Sequence, residues 1–306
     1  MNEPVAYLNG RWLPASEALI PVSDAGFVLG TTVAEQVRTF AGKLFRLADH
    51  LGRLAHSLEI IEVDPGVAWN DLGRIADELA HRNHALLEKG DDLGLSIVVT
   101  PGNYPTFSTV GPTQPNLCLH TYRLPFHTWA EKYRNGQALV TTAVQQVPAE
   151  CWPPTLKCRS RMHYYLADRH AKAIDPQARA LLLDGQGLVT EASTANLLVY
   201  RRHEGLVSPP WTKILHGISL AVATELASQL GIPTVQRELT VDDVASADEV
   251  LLTSTSICVL PVTRFNQRMV GDGKPGPMFA KLLAAWSQMV NVDVVAQAER
   301  VARLRT

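Results

Sequence analysis

Ala180-Leu-Leu-Leu-Asp184-Gly-Gln-Gly187-Leu-Val-Thr-Glu191-Ala-Ser-Thr-Ala-Asn196-Leu-Leu-Val-Tyr200 decides how this chain is read. Two apolar runs flank Asp184-Gly185 and Gly187, residues that tolerate positive φ, so the runs are expected to fold back as adjacent strands. Glu191 leaves a strand end. Upstream, Thr155-Leu156-Lys157 carries a lysine 34 positions before Glu191 (191 − 157), and Ser160 to Ala173 between them reads as a helix. Taken singly, such a lysine and such a glutamate are ordinary solvated charges, because neither type is often buried unpaired. Their joint spacing within a longer motif reverses that reading.

The combination resembles the class IV pyridoxal-phosphate enzymes, the family of branched-chain aminotransferases, D-amino acid aminotransferases and aminodeoxychorismate lyases. That family's motif is a lysine, a helix, then Leu-Asp-x-x-Gly-x-Val-x-Glu-Gly-x-x-x-Asn-hydrophobic. Lys157 matches the lysine and Leu183 to Leu197 the remainder, with Ala192 standing where the family usually has glycine. The resemblance implies pyridoxal 5'-phosphate as cofactor. Lys157 would be the catalytic lysine, its amine holding the cofactor aldehyde covalently and then shuttling a proton, which arginine could not do. Glu191 would set its carboxylate against the protonated ring nitrogen.

Other segments match the family in order. Val22 to Leu47 resembles its opening segment, with Leu29 and Ala34 where aromatics are common and Arg38 at the arginine position, which makes Arg38 a substrate-carboxylate candidate. His50-Leu-Gly-Arg53-Leu54 matches His-x-x-Arg-Leu, whose arginine turns its planar fork to the cofactor phosphate. Gly217-Ile218-Ser219 opens an apolar helix that Gly231-Ile-Pro233 stops; by resemblance Ile218 and Ser219 bind phosphate there, helix N-termini being anion sites. Ser219 could equally be a plain N-cap. Asp248-Glu249 to Val262 resembles the loop that gives a threonine to the phosphate and amides to the substrate carboxylate, roles that fall to Thr255 and Ser256. Gly271-Asp-Gly273-Lys-Pro-Gly276 matches G-x-G-x-x-G formally but lacks a following strand–helix unit; the resemblance makes it the Gly-rich turn before the family's last helix.

With 306 residues, 46% hydrophobic and 19% charged, the composition is that of a soluble globular protein with ample length for a core. A formal net charge of −2 and the lack of any basic run give no argument for nucleic acid or an anionic membrane. No apolar stretch approaches the roughly 18 residues of a membrane span, and the first residues lack a signal-peptide pattern, so the expected compartment is the cytoplasm. Cys118, Cys151, Cys158 and Cys258 form no C-x-x-C pair, the histidines form no metal motif, and no metal is expected.

Asn9-Gly10 between short apolar runs predicts a hairpin, and Leu47, Leu51, Leu54, Leu58 and Ile61 an amphipathic helix. A second helical stretch spans 65–87, strands cover 95–100 and 116–122, and Pro101–Pro105 and Gly111–Pro115 are turn-rich loops. The expected fold class is α/β (α+β). By the resemblance, residues 1–122 are expected to form a small N-terminal α/β domain, 123–132 a linker and 133–306 a large C-terminal cofactor-binding domain with a β-barrel-like sheet. The resemblance adds a homodimer. The reaction it implies moves an amino group between an amino acid and a 2-oxo acid, with branched-chain donors as the default. Arg161-Met162 stand where branched-chain enzymes carry Asn-Tyr, and Ser160-Arg161-Met162 is closer to the lyase pattern. An aminodeoxychorismate lyase or a D-amino acid aminotransferase is therefore the alternative, with a non-catalytic pyridoxal-phosphate-binding protein as the rival from another class.

Overall fold

The computed structural model describes residues 3–107 and 114–305, and the chain divides into two compact units. The first comprises the residues up to Leu124 together with Leu156–Ser160; the second comprises Pro125–Thr155 and the residues from Arg161 onward.

In the first unit, Asn9 and Gly10 take φ of +49° and +84° and turn β1 (Val5–Leu8) antiparallel onto β2 (Arg11–Pro14), the hairpin that an Asn-Gly pair favours. A one-turn helix, α1 (Ala25–Val28), is capped by Asp24. There follow β3 (Val33–Phe40), β4 (Lys43–Leu44), α2 (Leu47–Ile60), α3 (Trp69–His84), β5 (Leu93–Thr100) and β6 (Asn116–Arg123). All pairings are antiparallel, in the order β2-β1-β6-β5-β3-β4. Strand alternation places Val33 and Val37 of β3 and Leu95, Ile97 and Val99 of β5 in one core with Leu54 and Leu58 of α2 and Leu72 and Leu79 of α3. Each such side chain contributes roughly 1.5–3 kcal/mol by leaving water. Of the two turn-rich loops, Pro101–Pro105 is described and bridges to Asp24 through Asn103; most of Gly111–Pro115 lies outside the described residues.

The lysine segment belongs to this unit because it pairs with the start of β3. Ala34 N–H donates to Lys157 O at 3.2 Å, Arg159 N–H donates to Thr32 O at 2.7 Å, and Cys158 bridges Val33. Ser160 then donates its hydroxyl to Gly30 O at 2.7 Å. With that backbone spoken for, the helix expected from Ser160 begins two residues later.

The second unit runs α4 (Lys132–Asn135), β7 (Gln137–Thr141), α5 (Met162–Ile174), β8 (Ala178–Leu183), β9 (Val189–Ala192), β10 (Asn196–Arg201), β11 (Gly205–Ser208), α6 (Ile218–Gln229), β12 (Thr234–Gln236), α7 (Val241–Ala245), β13 (Glu249–Ser254), β14 (Cys258–Phe265), β15 (Arg268–Met269), α8 (Pro277–Val290) and α9 (Val294–Leu304). Its mixed sheet has the order β12-β11-β10-β13-β14-β7-β8-β9, with β15 on β14. β7 is parallel to both β14 and β8. Ala138, Val140, Ala178, Ala180 and Leu182 pack under Ala167 and Ala171 of α5, a seam of small residues that lets the helix lie close to the sheet.

The β8–β9 turn uses its residues unequally. Asp184 Oδ1 accepts from the Gln186 and Leu188 N–H groups, and Gly187 alone of the two turn glycines takes positive φ, at +80°. The Gly-rich stretch Gly271–Gly276 ends at the N-terminus of α8, where the buried Glu249 carboxylate accepts from Met278 N–H at 2.7 Å and Phe279 N–H at 2.9 Å. The chain's own carboxylate therefore occupies that helix terminus, and a Cβ on Gly276 would run into it. Among the described residues no helix is long and apolar enough to cross a membrane, and no group of three or more His, Cys, Asp or Glu is placed to hold a metal.

Candidate active site

Lys157 is 8% exposed. Its Nζ donates to Ala34 O at 2.9 Å, and its backbone N–H donates to Ser57 Oγ of α2 at 3.2 Å. Alongside runs a buried ionic cluster. Glu35 projects from β3 on the same face as Val33 and Val37, and its carboxylate is gripped by Arg53 through Nε at 2.7 Å and Nη2 at 2.8 Å, and by His50 Nδ1 at 2.7 Å. Burial alone would raise the Glu35 pKa. The Arg53 and Lys157 charges and the hydrogen bonds from Arg53 and His50 outweigh it and hold the carboxyl well below the usual range. Burial lowers the pKa of His50, against the raising effect of the Glu35 carboxylate to which its Nδ1 donates. Arg53, expected at a phosphate, thus has its fork oriented by Glu35.

Glu191, on β9, is 5% exposed and receives four donors. Tyr164 Oη of α5 donates to Oε1 at 2.6 Å and Gln146 Nε2 at 2.9 Å; Asn196 Nδ2 donates to Oε2 at 3.2 Å and Leu215 N–H at 3.3 Å. None carries a charge. Burial pushes the Glu191 pKa up, against the lowering effect of the Tyr164, Leu215 and Gln146 hydrogen bonds and of the Arg161 charge nearby. Burial, together with the adjacent carboxylate, raises the Tyr164 phenol well above its ordinary value and keeps it a donor.

Asn196 also donates to Leu215 O at 2.9 Å, beside the start of α6. Gly217 is the N-cap of that helix and offers no side-chain cap, so Ser219 sits inside the first turn and the N-cap alternative for it does not hold. A Cβ at Gly217 would displace Asn196 Oδ1. Thr255 and Ser256 occupy the tight β13–β14 turn, which closes on Cys258 at φ +58°. Next to it on β13, and opposite Asn196, Thr253 buries a hydroxyl without a partner. Arg38 is 1% exposed, lies over the Phe40 ring at 4.0 Å and donates Nε to Thr39 O at 3.2 Å.

A family model for amino-transferase class IV matches residues 32–265. The chain belongs to the class IV aminotransferases. This aminotransferase is 30% identical to a D-alanine aminotransferase of Bacillus licheniformis over 273 residues, covering 88% of this chain and 91% of that one. It is 26% identical to a putative branched-chain-amino-acid aminotransferase of Methanocaldococcus jannaschii over 282 residues, covering 90% and 93%. Among solved structures, an Escherichia coli branched-chain amino acid aminotransferase superposes with a TM-score of 0.87 at 20% identity, covering 94% of this chain and 95% of that one. A T.th. branched-chain amino acid aminotransferase with pyridoxamine 5'-phosphate gives 0.84 at 24% identity, covering 95% of each. The fold is therefore type IV, a small α/β domain and a larger one with a curled, half-barrel sheet.

The residues of the aminotransferase fit the cofactor that the family resemblance implies. Among the described residues, the buried carboxylate has only neutral donors in contact with it, the position that a protonated ring nitrogen would take; the helix N-terminus has no side-chain cap, and a threonine hydroxyl beside them is buried unpaired. Sequence reasoning misses the parts played by His50, Ser57, Gln146 and Tyr164. For Glu35 and His50 a signal exists: a carboxylate in the apolar phase of a strand, and a histidine three residues before Arg53 on one helix face. For Gln146 and Tyr164 no local spacing points to Glu191.

Proposed function

We propose that this enzyme is a pyridoxal-phosphate-dependent aminotransferase that moves an amino group between an amino acid and a 2-oxo acid. The observation that carries the reading is Glu191, a buried carboxylate with four neutral donors and, among the described residues, no cationic partner in contact with it. Pyridoxal phosphate, when bound, supplies an aldehyde for amino groups and a ring that accepts electrons once its nitrogen is protonated. Glu191 holds the proton at that nitrogen. Tyr164, Gln146 and Asn196 keep the carboxylate fixed and desolvated. Lys157 Nζ serves as covalent anchor and then as the base that moves the substrate Cα proton; burial excludes water from it. Arg53, Ile218, Ser219 and Thr255 bind phosphate, while Ser256 and Arg38 bind the substrate carboxylate.

Branched-chain amino acids are the default donors on the sequence resemblance. The second reading, a D-amino acid donor, is favoured by the 30% identity to a D-alanine aminotransferase. The working unit is a homodimer, as the family resemblance implies, and Leu19, Val22, Phe27 and Leu29, each more than half exposed on the first unit, are in keeping with that. The deciding experiment treats cofactor-loaded protein with borohydride and maps the label by mass spectrometry, then assays L-leucine and D-alanine with 2-oxoglutarate and pyruvate. Label at Lys157, lost in Lys157→Ala together with all turnover, is expected. Label at another lysine overturns the site, and the preferred enantiomer decides the donor.

A further inference from the structure

The second unit contains a cavity of about 290 Å³ whose described lining has no carboxylate. Two of its lining residues are cationic. Lys132, on α4, has Gln137 Oε1 as its hydrogen-bond partner at 2.7 Å. Arg179, on β8, donates to Ser193 O and, at 2.8 Å, to Thr194 Oγ1. Both cations are thus met by neutral acceptors. Neither takes part in an ion pair among the described residues; burial lowers the pKa of Arg179, against the nearby Asp168 charge that favours the guanidinium. Burial lowers the pKa of Lys132, and the like charges of Arg179 and Lys172 add to that effect.

Two partly buried like charges in one wall are costly unless an anion offsets them. The rest of the lining suits such a guest. Ser254 and Ser256 present hydroxyls, and Trp129 is 6% exposed with an indole N–H buried without an acceptor. The volume is at the small end for ligand sites, room for a small ion with some water. We propose that this cavity binds a small oxyanion, a carboxylate or phosphate group held between Lys132 and Arg179. Neither basic residue belongs to the machinery assigned to Lys157 and Glu191, and Ser256 alone of the lining also has a role there.

The test titrates the purified, cofactor-loaded protein with inorganic phosphate and, separately, with succinate, following heat by calorimetry and the melting temperature. Saturable binding of at least one anion with a rise in melting temperature is expected, and which anion binds identifies the source. Lys132→Met should weaken binding about tenfold or more, the worth of one charge-assisted hydrogen bond, while Lys132→Arg retains it. Arg179→Met should weaken it at least as much; should that variant fail to fold, the Lys132 pair decides alone. No saturable binding of either anion, or binding unchanged in Lys132→Met, overturns the proposal.

Discussion

The Tyr164 hydroxyl donates to Glu191 Oε1 at 2.6 Å and so ties α5, the helix that follows the lysine segment, to β9. A bond to a charged acceptor is worth about 1.5–3 kcal/mol, and this one also lowers the Glu191 pKa against burial. Tyr164→Phe is expected to lose stability of that order at neutral pH and to raise the Glu191 pKa further. Chemical denaturation over a pH series measures both. An unchanged stability would mean that Gln146 alone satisfies Oε1.

As the proposed partner of the ring nitrogen, Glu191 would also give cofactor binding a pH dependence. Its pKa in the folded chain is raised above the unfolded value, so the ionised form costs stability at pH above the raised pKa, and that cost disappears as pH falls through it. A cationic ring nitrogen offsets the same cost. Affinity for pyridoxal phosphate should therefore fall as Glu191 protonates, and Glu191→Gln should bind weakly without that contribution to the pH profile. Matching profiles in the two proteins would remove Glu191 from the site.

The opposite sign holds at Glu35. Its folded pKa is depressed, so its contribution is fully present above the unfolded carboxylate range and is lost only as pH falls toward the lower folded value. Glu35→Gln leaves Arg53 buried without its carboxylate, a loss of roughly 3–5 kcal/mol for a broken buried pair. In urea unfolding the deficit should be constant from neutral pH down to the ordinary carboxylate range and should narrow only in stronger acid.

Gly217→Ala should act through Asn196. A Cβ at 217 displaces Asn196 Oδ1 and with it the donation to Glu191, whereas nothing lies within 4 Å of a Cβ at Gly185. Cofactor retention, read by absorbance after dialysis, should drop about tenfold in Gly217→Ala, one hydrogen bond to a charged group. Gly185→Ala serves as the control and should retain cofactor like the parent.

Much of this is legible in the sequence because it is local. Asn9-Gly10 dictates its hairpin by backbone conformation, and the leucines of α2 recur with the helical period. Lys157, Arg53 and Glu191 stand out by motif spacing, which carries no geometry: that Glu35 orients Arg53, or that Tyr164 reaches Glu191, depends on strands and helices far apart in the chain. The start of α5 is misplaced by local reading for the same reason, since the Ser160 hydroxyl is claimed by Gly30, 130 residues earlier.

The lysine segment completes a unit from which it is separated by chain that belongs elsewhere. On the ribosome, β3 emerges early, yet the backbone groups of Thr32 and Ala34 wait for Lys157 and Arg159 to be made. At roughly 5–20 residues per second the stretch from Pro125 to Thr155 delays them by a few seconds. During that interval the nascent first unit has its sheet and helices but not the segment that carries Lys157, so the lysine amine is buried only after its chain has been synthesised past it.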